Sequence, residues 1–254
     1  MSLDKLKKRI DKTADAQDLI YLIIEIPDLE DQEGKELAKN IINKALKNAN
    51  SNDLPSIAST VGLELDDKEW AFEIYKTAID NSEDAETLLS IADDLYNDHE
   101  NEEYAKIAFN KALHYADEID VLVDIAQSAM KLFEDIDLAK KLVEIALNKA
   151  KTVTDFRKIA RFTALFIDSE FGVKIMSKAL SLSKDYNDSM IIATESVEFI
   201  NNVDLAKSAI ESAVEFAKSE SDPLTQEKMF RNIAKDIVTF FNDKAWAKKV
   251  KEMI

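Results

Sequence analysis

Apolar and polar positions alternate along this chain with the period of an α-helix, and the helical pattern itself recurs. A small residue is followed four positions on by a large apolar residue and three further on by an alanine. The pattern reads Ala38, Ile42, Ala45, then Ala71, Tyr75, Ala78, then Ala105, Phe109, Ala112. It continues as Ala139, Val143, Ala146, then Gly172, Met176, Ala179, then Ala206, Ile210, Ala213. The six first positions lie 33 or 34 residues apart, and a seventh, Ala247, follows 41 residues after Ala206. An apolar residue precedes each of them: Leu37, Trp70, Tyr104, Leu138, Phe171, Leu205 and Trp246. A second series with the same period is an Ile-Ala pair, at Ile57-Ala58, Ile91-Ala92, Ile125-Ala126, Ile159-Ala160, Ile192-Ala193 and Ile233-Ala234, with Ile23-Ile24 in the same slot one repeat earlier. Spacings of three, four and seven put side chains on one helical face. Each repeat therefore reads as two amphipathic helices, and the small slots let neighbouring helix backbones approach closely.

The pattern predicts an all-α protein of about seven helix pairs over residues 15–254, led by a half-repeat over residues 1–13, in one continuous domain over 1–254. Pro27 and Asp28 read as a break between helices, and Asp53-Leu54-Pro55 and Asp222-Pro223 as helix starts with Pro in the first turn. Ser82, Thr154 and Asn187 read as further caps. Trp70, Tyr104, Phe171 and Trp246 share one slot and read as packing between helices. Composition agrees: 254 residues contain 3 Gly and 3 Pro, too few for the turns of a β-rich or α/β domain.

A 34-residue helix-turn-helix unit of this kind resembles the tetratricopeptide repeat. Ile91-Ala92 in a first helix, followed by Ala105, Phe109 and Ala112 in a second, matches that family residue by residue, and the resemblance spans nearly the whole chain. The matching small residues of the two helices lie 13 apart, one more than is usual for the family, and its terminal Pro is missing, so a HEAT-like array stays open as the other helical-repeat reading. The resemblance implies a right-handed α-solenoid whose first helices line a concave groove. Carried over slot by slot, it implies a partner-binding track of Tyr21, Glu25, Glu86, Asp93, Tyr96, Asn97, Asp120, Gln127 and Lys131. The track continues through Arg157, Arg161, Arg231 and Lys235. On that reading the groove is acidic and aromatic toward the N-terminal half and basic toward the C-terminal half. Tyr21 and Tyr96 stand as its aromatic contacts.

Charge narrows the partner. The formal net charge is −17, and residues 61–130 alone hold 19 acids against 4 bases. Self-repulsion makes such concentration costly, which suggests a face for a partner with a basic patch. Direct binding to nucleic acid is not expected of so acidic a chain. There is no Cys, so thiolate metal sites and cysteine nucleophiles are excluded. The two histidines, His99 in a polar turn and His114 on an outer helix, have no ligand spacing, and no phosphate-binding or nucleophile motif occurs. No catalytic residue, cofactor or metal is expected, and the chain reads as a non-enzyme. No apolar run of membrane-spanning length and no signal-peptide pattern is seen, so the expected location is cytoplasmic. The expected function is a scaffold or adaptor holding a protein segment in the groove. Two alternatives stay open: an acidic inhibitor, antitoxin or anti-restriction protein that mimics nucleic acid, and a structural subunit that self-assembles end to end.

Overall fold

The computed structural model describes residues 3–254. Among them are fifteen α-helices, one 3-10 turn and no strand. A lone helix α1 (Leu3–Lys12) precedes seven pairs. The first is α2 (Ala16–Tyr21), extended by the 3-10 turn Ile23–Glu25, with α3 (Gln32–Asn48). Then come α4 (Leu54–Glu64) with α5 (Lys68–Asn81), and α6 (Ala85–Asn97) with α7 (Glu102–His114). The later pairs are α8 (Ile119–Phe133) with α9 (Ile136–Lys149), and α10 (Val153–Phe166) with α11 (Ser169–Leu182). Last come α12 (Tyr186–Glu198) with α13 (Val203–Lys218), and α14 (Pro223–Phe241) with α15 (Lys244–Lys251). The chain forms two compact units, Met1–Asp117 and Glu118–Ile254. In each, a helix packs most extensively on its partner within the pair. First helices also touch first helices, α2 to α4 to α6 in one unit and α8 to α10 to α12 to α14 in the other.

The repeated slots are the core. All six Ile-Ala pairs are fully buried, as are Ala38, Ala71, Ala105, Ala139 and Ala206. The closing alanines Ala45, Ala78, Ala112, Ala146, Ala179 and Ala213 are equally inaccessible. The smallness of the slot is a packing demand. A Cβ placed on Gly172 would lie 2.4 Å from the Ala164 Cβ and 2.7 Å from its Cα, so α10 and α11 meet backbone against side chain.

Three expectations change at the periphery. The aromatic slot before the small residue is not core: Trp70, Tyr104 and Trp246 are half-buried, and Phe171 is 38% exposed. These rings lie along pair edges, Tyr104 edge-on to Phe72 at 4.2 Å and Trp246 stacked on Phe241 at 5.7 Å between centroids. Aromatics with one polar end suit such half-wet seams. Ile23 is buried but Ile24 is 70% exposed, because the first helix tightens into a 3-10 turn ahead of Pro27, whose predecessor must be extended. The caps also shift. Asp84, Thr152 and Asp185 cap α6, α10 and α12, two residues after the expected Ser82 and two before the expected Thr154 and Asn187. Ser82 instead ends α5, its hydroxyl tied to Asp84. Asp222 caps α14, with Pro223 in the first turn, as the sequence suggests.

A capping signal runs through the turns within the pairs. Every second helix starts on an Asp or Asn: Asp31, Asp67, Asn101, Asp135, Asp168, Asn202 and Asp243. From Asp67 onward each side chain accepts from the backbone N–H of the apolar residue before the small slot. In four turns the same residue closes the first helix with its own N–H: Asp67 to Val61, Asn101 to Leu95, Asp135 to Ala129 and Asn202 to Ser196. The residue before each of these four is left-handed without being glycine: Asp66, Glu100, Glu134 and Asn201, with φ of 50–53°. That is how a chain with so few glycines turns so tightly.

Candidate functional site

The first unit has an open groove of about 350 Å³ between α2, α4 and α6. Its rim is Tyr21, 64% exposed, and Ile24, 70% exposed. Ile20 and Pro55 form the apolar wall, Ser59 and Ser90 supply hydroxyls, and Glu64 and Asp94 supply carboxylates. Asp94 is the best-defined polar group in it. The Tyr75 hydroxyl donates to its Oδ2 at 3.2 Å. Burial, with the nearby Asp98 and Asp93 charges, outweighs that bond and pushes the Asp94 carboxyl up to about 6. Burial, then the Asp94 charge, pushes the Tyr75 hydroxyl well above its usual range, so Tyr75 keeps its proton and acts as donor.

Behind this groove His99 serves as packing. A Cβ on Gly62 would fall 2.0 Å from the His99 ring, and that ring stands edge-on to Tyr75 with centroids 5.3 Å apart. Its Nε2 is buried without a hydrogen-bond partner among the described residues. Burial lowers the His99 pKa, which keeps the ring neutral. His114 is exposed and lies against Tyr115.

Of the track residues in this unit, Tyr21 lines the groove. Glu25 turns toward α1 and pairs with Arg9 at 2.5 Å. Glu86 is exposed, Asp93 and Tyr96 are half-exposed on α6, and Asn97 donates to the Asp93 carbonyl of its own helix at 3.1 Å.

The second unit has a groove of about 510 Å³ between α12 and α14, lined by Tyr186, Thr194, Glu195, Phe199, Lys235 and Asp236 among others. Burial raises the pKa of Asp236 and of Tyr186, the latter hydrogen-bonded to Asn232. Glu195 is 6% exposed. Arg157 grips it with two bonds of 2.7 Å, Nε to Oε2 and Nη2 to Oε1. Arg161 lies 3.6 Å from the same carboxylate and stacks 4.1 Å from the Phe199 ring centroid.

The expected basic half of the track is therefore charge-balanced in the structure. Arg157 and Arg161 share Glu195, and Arg231 pairs with Glu227 one turn back. Asp120, expected as an acidic contact, is held by Lys158 of α10 at 2.5 Å. Lys235 lines the groove, while Gln127 and Lys131 are exposed on α8.

Both grooves rest on one slot that the sequence reading passed over, three residues beyond the buried Ile. It holds Asp94, Glu195 and Asp236 after Ile91, Ile192 and Ile233. The signal was available: an acid one turn from the core, where other repeats carry Thr60, Ser128 or Phe162. No protein-family model matches the sequence, and no curated protein matches it.

Proposed function

We propose that the protein is a non-enzymatic scaffold, a right-handed tetratricopeptide-like α-solenoid whose first helices hold a segment of a partner protein in the cytoplasm. One observation carries the reading: in both units the open grooves lie along first helices, and the groove of the first unit exposes an aromatic and an aliphatic side chain at its rim. Exposed large apolar groups beside polar ones are the composition of a contact surface. Contacts between successive first helices support the repeat-array part of the proposal. No described helix is long and apolar enough to cross a membrane.

The test is site-specific photo-crosslinking in cell extract. A photoreactive side chain replaces Tyr21 or Tyr186 at the grooves, or Ile107 of α7 or Ile145 of α9 on exposed second-helix faces. Crosslinks to the same protein from the groove positions, absent from the other two, are expected. Crosslinks only from Ile107 and Ile145 would move function away from the grooves. A folded basic nuclease as the captured protein would favour the nucleic-acid mimic, whose support is the balance of 27 acids to 13 bases within the first 117 residues.

A further inference from the structure

We propose that the groove of the first unit receives a basic side chain, lysine or arginine, carried on an apolar stretch of the partner protein. The inference rests on the scaffold reading above and adds the chemistry of the bound segment.

The groove is complementary to such a side chain at each level. Its charged groups are the carboxylates of Asp94 and Glu64, and no Lys or Arg lines it. Neither carboxylate makes an ion pair among the described residues, although other acids in this unit do, as in Glu25 with Arg9 and Glu33 with Lys7. Asp94 has the Tyr75 hydroxyl as donor and is half-withdrawn from water. A carboxylate in that position gains most from an opposite charge brought to it, because a desolvated ion is costly until paired. Ile20 and Pro55 offer an apolar wall for a long aliphatic stem, with the head reaching Asp94. Tyr21 at the rim offers a ring face for a guanidinium or ammonium. An acidic side chain would meet two like charges, and a neutral one would leave Asp94 unpaired, so the groove discriminates as well as attracts. The acid excess of the whole unit draws a basic segment toward it.

The experiment titrates the full chain with two synthetic peptides, acetyl-Leu-Lys-Ile-Arg-Leu-amide and its counterpart with Glu at both charged positions. Amide shifts in nuclear magnetic resonance map the site on the unmodified protein, and fluorescence anisotropy of labelled peptide gives affinity. The basic peptide is expected to shift Ser59, Ser90 and Asp94, and the acidic one to leave them unmoved. Asp94→Asn, which still accepts from Tyr75, is expected to weaken the basic peptide about tenfold, the loss of one desolvated charge pair. Glu73→Gln on the exposed face of α5 removes the same charge and is expected to leave affinity unchanged. Equal losses from both variants, shifts confined to the second unit, or binding of the acidic peptide would overturn the proposal. Spermidine binding the site as tightly as the peptide would assign it to a free polyamine and also overturn it. If a partner crosslinks from Tyr21 yet is retained by Asp94→Asn, the scaffold reading stands and this inference falls. If the basic peptide binds at Asp94 while no protein crosslinks from Tyr21, the scaffold reading is the one that fails.

Discussion

Replacing Gly172 by Ala sets two effects against each other. Helix propensity alone favours alanine inside a helix by about 1 kcal/mol. Packing opposes it. The new Cβ would sit 2.4 Å from the Ala164 Cβ, 2.7 Å from its Cα and 2.8 Å from its backbone nitrogen. Carbon atoms rest about 3.5–4.0 Å apart, so α10 and α11 must separate by about 1 Å, and two of the three obstacles are backbone atoms that no rotamer change can move. The separation loosens the seam that buries Ile159, Ala160, Met176 and Ala179. Against backbone that cannot yield, overpacking costs toward the upper end of its range, about 2–3 kcal/mol, which outweighs propensity and leaves a net loss of about 1–2 kcal/mol. Urea unfolding followed by far-ultraviolet circular dichroism reads it as a lower midpoint. Ala164→Gly removes the nearest contact but not the Cα and itself costs about 1 kcal/mol of helix propensity, so the relief should appear as a favourable coupling in the Gly172→Ala/Ala164→Gly double-mutant cycle. A Gly172→Ala protein as stable as its parent, or more so, would refute the close approach of α10 and α11.

Four further outcomes are expected. Glu195→Ala strands the largely withdrawn Arg157 guanidinium, 17% exposed, and should destabilise by about 3 kcal/mol, whereas Arg157→Met with Glu195→Met should cost much less; equal losses in urea melts would show that the pair is not desolvated. Asp94 has its folded pKa raised to about 6 from 3.8, so its favourable contribution is complete below the unfolded value and is lost as pH rises through about 6. Thermal melts should show Asp94→Asn gaining on its parent across that window and level above it, by about 1 kcal/mol after allowance for partial exposure; a gap that does not change with pH contradicts the desolvation. Glu134→Gly relieves a left-handed non-glycine residue and should stabilise by about 0.5–1 kcal/mol, the strain of about 1–2 kcal/mol less the extra freedom of the unfolded chain; a loss in urea unfolding would mean that the turn does not need positive φ. Ala105→Leu should cost about 1–3 kcal/mol and the exposed His114→Ala less than about 0.5 kcal/mol; equal melting points would mean that the buried face of α7 is misassigned.

What the sequence made legible was whatever repeats at close range. A small slot such as Ala105 and a pair such as Ile91-Ala92 are local, periodic and apolar, and their burial follows from helical geometry alone. The caps were as periodic yet went unread. Asp67, Asn101, Asp135, Asp168 and Asn202 lie four residues before the small slots, but in a chain with 50 acids an aspartate looks like surface charge. That confusion inflated the acidic block: Asp67 and Asp84 bind backbone N–H groups, and Asp94 is half-buried. Lowered pKa values at the capping residues Asp84 and Asp155 act opposite to Asp94, their hydrogen bonds adding stability that is lost as pH falls through those values.

Charge pairing was the harder problem, because the sign of a residue is local while its partner is set by packing. Arg157 and Glu195 are 38 residues apart, and so are Asp120 and Lys158. That separation is one repeat of 34 plus one helical turn of four. The pairs join α10 to α12 and α8 to α10, so a charge on one first helix meets its partner a turn further along the next. A residue-by-residue transfer of groove slots takes each charge at its face value and cannot see this. The useful sequence test is therefore the offset: opposite charges 38 apart on first helices cancel, and acids lacking such a partner remain available. Asp94 meets that condition, since the residues 38 before and after it, Ser56 and Leu132, carry no charge. Glu64, the other acid of that groove, meets it too, with Ile26 and Glu102 at those offsets, but Glu64 is exposed while Asp94 is half-buried against the Tyr75 hydroxyl, which is why the basic-segment experiment turns on Asp94.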